Sequence, residues 1–375
     1  MLITNAKIIT MSDLRPFGGI IENGFIKIRN GKIFDIGKMS DLTLADVNSE
    51  NSVENMSGCT ILPGFIDAHT HLGLCRAGET YSDSDINRSS DISPQHSPIQ
   101  SAVMDSYFDE AVRSGVTTAA ISFGSASPMP GKISVVKTYS NNKMVKIVKE
   151  YAAQKFAMGE NPCTALGGLD AAKSIRKELK LAKEHLSGIR NDYDEIKAEA
   201  LKPLFNREIP AHIHLHTKED IISALKIAEE FDIKIVLLHA TEGHMLPRLL
   251  KRYDIPVIYG PIINDKSKKE LINMDESCPA VLNEFGVLTA LCTDHPETPA
   301  KYLQLCASIA VRNRMERIEA LRAITINAAK ILGISCSTGS LEKGKEADII
   351  AFRGDPIDIT LTPETVICGG ERIKL

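Results

Sequence analysis

From about residue 62 to 340 the chain alternates short apolar runs with longer helical patterns, and this rhythm limits the fold more than any other feature. Parallel strands cannot be joined by a tight turn; each needs a crossover of roughly a dozen residues or more, usually helical. The runs ILPGFIDAH, GVTTAAIS (115–122), KISVVKT (132–138), QKFAMG (154–159), AHIHLH (211–216), IKIVLLH (233–239), IPVIYG (255–260) and GVLTALCTD (286–294) each predict a strand. KEDIISALKIAEEF, between the fifth and sixth runs, places apolar residues at 221, 222, 225, 227 and 228, the spacing of a helix with one buried face. A Lys- and Glu-rich helical stretch from about 167 to 200 lengthens one strand-to-helix connection. Repeats in this order predict an α/β chain, a TIM-type (β/α)8 barrel over residues 62–340.

The two ends read differently. Near the start, FIKIR alternates before an Asn30-Gly31 hairpin signal and KIFDIG; near the end, ADIIAFRG and TVICGGERIKL flank a turn at Asp355-Pro356. Residues 1–61 and 341–375 are therefore expected to form one small β-sandwich domain shared by both termini.

Bulk properties narrow the function classes. Forty-four basic residues against 48 acidic ones give a net charge of -4, which offers nothing to a nucleic acid or an anionic membrane. IKIVLLHA, among the most apolar stretches, is too short to span a bilayer. The first residues lack the pattern of a secretory signal, and the eight cysteines form no Cys-x-x-Cys pair, so reduced thiols in a cytoplasmic protein are expected. The partner expected is a small-molecule substrate; a homo-oligomer stays open.

Barrel chemistry gathers at the C-terminal ends of the strands. Six of the ten histidines fall there: His69 and His71, His214 and His216, His239 and His295; Asp294 ends the eighth run. The i, i+2 spacing of His69 and His71 puts two imidazoles on one strand face, where they can converge on one ion. A lone His-x-His fits two half-buried core histidines equally well. What tells against that reading is that ligand types recur at four separate strand ends.

The segment PGFIDAHTHLG resembles the first-strand signature of the amidohydrolase superfamily. IRNGKIFDIG, FAMGENP, HIHLHTKEDIISALKIAEEF, VLLHATEGH and LCTDHPETPA extend the likeness to the imidazolonepropionase-like branch, and ALRAITINAAKILGI with GSLEKGKEADIIAF carries it to the end. The resemblance implies a metal-binding barrel. It implies that His69, His71, His214, His239 and Asp294 are metal ligands, with His239 and Asp294 also catalytic. His216 then lies nearer the mouth, toward a second ion or the substrate, and His212 lies deeper, as a hydrogen-bonded core histidine. Lys155 matches the fourth-strand lysine that is carbamylated in two-metal members; a plain snorkelling lysine is the alternative. Glu160, Glu242 and His295 are candidate substrate contacts, and equally ordinary caps or loop residues. His96 is a candidate lid residue.

The implied cofactor is one or two divalent ions, zinc first, with iron, manganese and nickel open. The implied reaction is C–N hydrolysis of an amide, lactam or peptide-like bond by water activated at the ion, with Asp294 as base and then acid. The alternative is an aminohydrolase acting on a cyclic amidine or purine-like ring; against it, Glu219 is expected in the first turn of its helix, pointing away. A non-catalytic relative would be expected to have lost ligands that this chain retains.

Overall fold

The computed structural model describes residues 1–13, 19–80, 84–87 and 92–375. The chain opens with β1 (Leu2–Ile9), β2 (Ile20–Arg29), β3 (Lys32–Lys38), the short helix α1 (Leu44–Asn48), β4 (Val53–Asn55) and β5 (Thr60–Pro63). β1 pairs antiparallel with β2 and lends its other edge to β4 and β5 in succession. The end of the chain completes this sheet: β14 (Ile349–Phe352), β15 (Thr365–Cys368) and β16 (Glu371–Arg372), joined through an antiparallel β14–β5 ladder. The two layers expected of a sandwich are thus one hydrogen-bonded path, β16-β15-β14-β5-β1-β2-β3, with β4 beside β1. Its core is mostly isoleucine, including Ile3, Ile8, Ile26, Ile61, Ile349 and Ile367. β-Branched side chains of that kind favour a pleated, half-buried surface.

Between the two ends lies a sheet of eight strands in sequence order: β6 (Phe65–Thr70), β7 (Val116–Ser122), β8 (Gly131–Lys137), β9 (Lys146–Ala157), β10 (Ala211–Leu215), β11 (Ile235–His239), β12 (Val257–Tyr259) and β13 (Thr289–Leu291). Hydrogen bonds from His71 N to His295 O and from Asp294 N to His69 O draw the ends of β6 and β13 together. Asp67 reinforces that seam, accepting from Thr293 N at 3.1 Å and Thr293 Oγ1 at 2.5 Å.

Two predicted strands are corrected. ILPGFIDAH is not one strand: Gly64 divides it between the terminal sheet and the barrel. A Cβ on Gly64 would lie 2.2 Å from Thr117 Oγ1, so only glycine lets the chain pass there. The barrel is also not parallel throughout. β8 runs antiparallel to both β7 and β9, because the connections on either side are too short to cross over and carry no helix.

The helices are α2 (Ser106–Arg113), α3 (Glu160–Ala165), α4 (Ala171–Leu186), α5 (Glu195–Phe205), α6 (Lys218–Phe231), α7 (Pro247–Arg252), α8 (Cys278–Glu284), α9 (Leu303–Arg312), α10 (Arg317–Ala323) and α11 (Ile326–Ile331). The helical stretch expected from about 167 to 200 is α4 and α5, parted where the chain turns at Gly188 (φ +81°). α6 matches its expected span. Thr217 caps its N-terminus, Asp232 ends it in the left-handed conformation, and it buries Ile221, Ala224, Ile227 and Phe231. No described helix is long and apolar enough to cross a membrane.

Buried apolar residues from seven barrel strands, among them Ile66, Ala120, Ile133, Val236, Ile258 and Ala290, form one cluster with Ala328 and Ala329 of α11. Side chains from so many strands can meet only inside the ring. β10 is the exception. Its Ala211, Ile213 and Leu215 join the cluster shared with the outer helices, so His212, His214 and His216 face inward.

Candidate metal centre

Five side chains meet where the strands end. His69 Nε2 and His71 Nε2 each lie 3.3 Å from Asp294 Oδ1. That is close to the spacing of two ligands about 2.0–2.1 Å from a shared zinc-like ion. The ring centroids of His214 and His239 are 4.5 Å apart, and those of His69 and His239 are 5.7 Å apart. Lys155, fully buried on β9, brings Nζ to 3.2 Å from His69 Nε2.

The backbone aims these groups. His239 and Asp294 end their strands with φ of 67° and 54°, a region that costs energy for a side chain with Cβ. Gly260 supports His239 from β12: a Cβ there would lie 2.2 Å from Cys292 O, and its own carbonyl accepts from His239 Nδ1 at 2.5 Å. His71 Nδ1 donates to Ser122 O at 2.6 Å. In both rings the Nδ1 contact fixes the tautomer and leaves Nε2 free to accept, as a metal ligand must be.

Burial and charge set the protonation states. Burial, then the Lys155 charge, holds His69 well below its usual range. Burial and the neighbouring imidazoles do the same to His214 and His216, and burial lowers His239. Burial acts to raise Asp294, but His239 and the contacts with His69 and His71 outweigh it and hold the carboxyl well below its usual range. Burial brings Lys155 down to about 8. The centre therefore presents neutral imidazoles beside an ionised carboxylate. Nε2 of His214 and of His239 is buried with no hydrogen-bond partner, a costly state for polar atoms inside a protein. An ion held among them would relieve it, so the donor set fits a divalent metal.

A cavity of about 530 Å³ opens over these residues, a size that suits a small molecule. Its wall includes His69, His71, Lys155, His214, His216, His239 and Asp294. Glu160 lines it. Glu242 and His295 do not. Glu242 accepts from Lys218 N, capping α6, and from Asn273 Nδ2. His295 is buried against Tyr107, and its Nδ1 accepts from Ala300 N. The His96 carbonyl accepts from Lys132 N, and the residue lies outside the cavity wall. His212 is buried as expected, but both its ring nitrogens lack the hydrogen bonds expected of them.

Sequence reasoning missed Glu270, whose Oε1 lies 3.6 Å from His216 Nε2. It also missed Asn161, Asn264 and Lys268 on the cavity wall. The polar run NDKSKKE after the seventh strand was the available signal.

A sequence profile of the amidohydrolase family matches residues 60–373. The chain belongs to the amidohydrolase family. An amidohydrolase structure from Thermotoga maritima MSB8 superposes with a TM-score of 0.91 at 30% identity, covering 100% of this chain and 99% of that one. The imidazolonepropionase of Agrobacterium fabrum is 26% identical over 92% of this chain and 87% of its own length. The amidohydrolase tasK of Hapsidospora irregularis is 21% identical over 92% of this chain, which spans only 39% of that protein. This amidohydrolase is thus an enzyme of the kind that hydrolyses C–N bonds, with a likeness to imidazolonepropionases along most of its length.

Proposed function

We propose that this amidohydrolase cleaves a C–N bond of a small polar molecule, an amide, lactam or peptide-like bond, at the centre built by His69, His71, His214, His239 and Asp294. One observation carries the reading: imidazoles from three strands and a carboxylate from a fourth face one cavity, and two of the imidazoles have their Nε2 atoms unpaired. A divalent ion bound there would polarise the scissile group and lower the pKa of a bound water to about 7.

The protein's own groups do the rest. Asp294, ionised and 3.3 Å from two imidazoles, takes the proton of the attacking water and returns it to the leaving nitrogen. His239, its Nδ1 held by Gly260 O and its Nε2 left free to accept, orients the attacking water. His216 and Glu160 stand on the cavity wall as contacts for the substrate, with Asn161, Asn264 and Lys268 adding polar ones.

Lys155 stands where a carbamate could form. Its amine, fully buried and lowered to about 8, is nucleophilic enough near neutral pH to take up carbon dioxide. Carbon-13 NMR with labelled bicarbonate would show a carbamate carbon that disappears in Lys155→Ala; a spectrum without it leaves Lys155 a plain amine.

Metal-stripped protein, before and after reloading with zinc, manganese, iron or nickel, should be screened against N-acyl amino acids, dipeptides, lactams and cyclic ureides. Restored hydrolysis of one class supports the reading; activity indifferent to chelation sinks it. The proposal stops at the branch and does not extend to imidazolonepropionase itself. The aminohydrolase reading is the weaker one: Glu219, in the first turn of α6, is exposed and lies off the cavity wall.

A further inference from the structure

A second donor set shares His214 with the first five residues and adds Glu270, which the resemblance did not supply. His214, His216 and Glu270 are all buried, and one ligand atom of each lies within 4.8 Å of the others. His214 Nε2 and Glu270 Oε1 are buried without hydrogen-bond partners. The remaining atoms are anchored. His216 Nδ1 shares a 2.7 Å hydrogen bond with Thr241 Oγ1, and Glu270 Oε2 accepts from Glu160 N at 2.8 Å. Glu270 N in turn donates to Glu160 Oε1 at 3.2 Å, so each glutamate fixes the other. Gly159 makes room for the carboxylate: with φ +89°, it leaves open a place where a Cβ would come within 2.4 Å of Glu270 Oε2.

The two unpartnered atoms lie in one cluster, yet neither makes a hydrogen bond to the other or to any other group. Left open, buried polar atoms of this kind are costly. The neighbouring cation, Lys268, gives its Nζ to Asn161 Oδ1 at 2.7 Å. Two imidazoles and one carboxylate, with the far atoms of His216 and Glu270 tied down, form a set that takes a first-row divalent ion, zinc among them, and leaves positions open for substrate.

We infer that this amidohydrolase binds a second divalent ion through His214, His216 and Glu270, on the side of the cavity formed by β10 and the chain after β12. The inference rests on the reading that His69, His71 and Asp294 hold the first ion, and it moves His214 from that centre to the second, because one Nε2 serves one ion. It requires no bridge from Lys155. Glu270 is then a ligand, supplied by a loop rather than a strand.

Zinc titration of chelator-stripped protein, with metal counted after desalting, tests it. The wild type should retain two equivalents, and Glu270→Gln and His216→Asn should each retain one. The second equivalent should weaken by more than the roughly 10–100-fold that loss of a supporting residue costs. His69→Ala should lose the other equivalent and keep this one. A single equivalent in the wild type, or two in Glu270→Gln, overturns the second site; so does a Glu270→Gln protein that keeps both ions but loses turnover, which would make Glu270 a proton-transfer group. No metal in the wild type, or an unchanged count in His69→Ala, overturns the reading of the first ion instead. Should Glu270→Gln fail to fold by circular dichroism, the His216→Asn count decides.

Discussion

Two clusters of buried polar and charged groups can be set side by side in this protein. At the barrel mouth, Nε2 of His214, Nε2 of His239 and Oε1 of Glu270 are buried with no partner. Where the barrel meets the terminal sheet, Asp348 is saturated. It accepts from Lys137 Nζ at 2.5 Å, Thr338 Oγ1 at 2.6 Å and Gly369 N at 2.8 Å, and Lys137 also lies 2.6 Å from Glu346. Both clusters are taken out of water. One spends its hydrogen-bonding capacity on the protein itself; the other leaves atoms open beside a cavity that can admit a small molecule.

The sharpest way to break the comparison is Asp294→Asn. Turnover should fall by about 10²–10⁴-fold, with a much smaller change in metal content and little loss of stability. Paired kinetic and metal measurements check this, and near-normal turnover would remove Asp294 from its assigned role.

Asp348→Asn should do the opposite, costing up to roughly 3–5 kcal/mol of stability by leaving the buried Lys137 with Glu346 as its one carboxylate partner while metal content holds. Its pH dependence has a definite sign. The Asp348 carboxyl is held below its usual range, burial being outweighed by Lys137. Its contribution is therefore full above about pH 4 and is lost as acid takes the pH through the lowered value. Lys137 is raised, burial again being outweighed by Asp348 and its neighbours. Its contribution is full below about pH 10 and is lost only above that. Urea unfolding should show the wild type and Asp348→Asn far apart between about pH 5 and 9 and converging below pH 4; a gap that persists in strong acid would contradict the pairing.

Metal removal comes next. An ion present at about 100 times its Kd stabilises by roughly 2.7 kcal/mol, so chelation should lower the melting temperature of the wild type by several degrees. Asp348→Asn should respond to chelation by the same amount, because its lesion lies elsewhere. The smallest effect is expected for Glu242→Gln. That change weakens a cap on α6, at about 1 kcal/mol, and should leave kcat within about twofold of wild type. A large kcat loss would return Glu242 to the substrate contacts.

How much of this was legible in the sequence depended on whether a role follows from periodicity. His69, His71, His214, His239 and Asp294 could be found because strand ends are visible as the ends of apolar runs, and barrel geometry then gathers them. The antiparallel β8 was not legible, since an apolar run has no direction; only the missing helix on either side hinted at it. Glu270 and Lys268 come from the irregular chain after β12, and Asn161 from the first turn of the short α3, where no period says which way a side chain turns. Glu242 misled for the same reason: it follows a strand, yet it turns back to cap α6. The positive φ at His239 and Asp294 is a tertiary imposition, since neither residue type requires it.

Gly64 has one more consequence. The ribbon from Thr60 to Thr70 serves the terminal sheet through Pro63 and the barrel from Phe65, with one residue between. Gly64 N is itself tied to Asp348 O. The terminal sheet is therefore a foundation that holds taut the strand carrying the two leading histidines. Trimming either terminus would slacken that strand at its root, and an ion clasped at the far end would pull the other way, bracing a sheet it never touches. Amide exchange in β14 and β5 should slow when metal is added; exchange that ignores the ion would show the two ends of the ribbon to be mechanically separate.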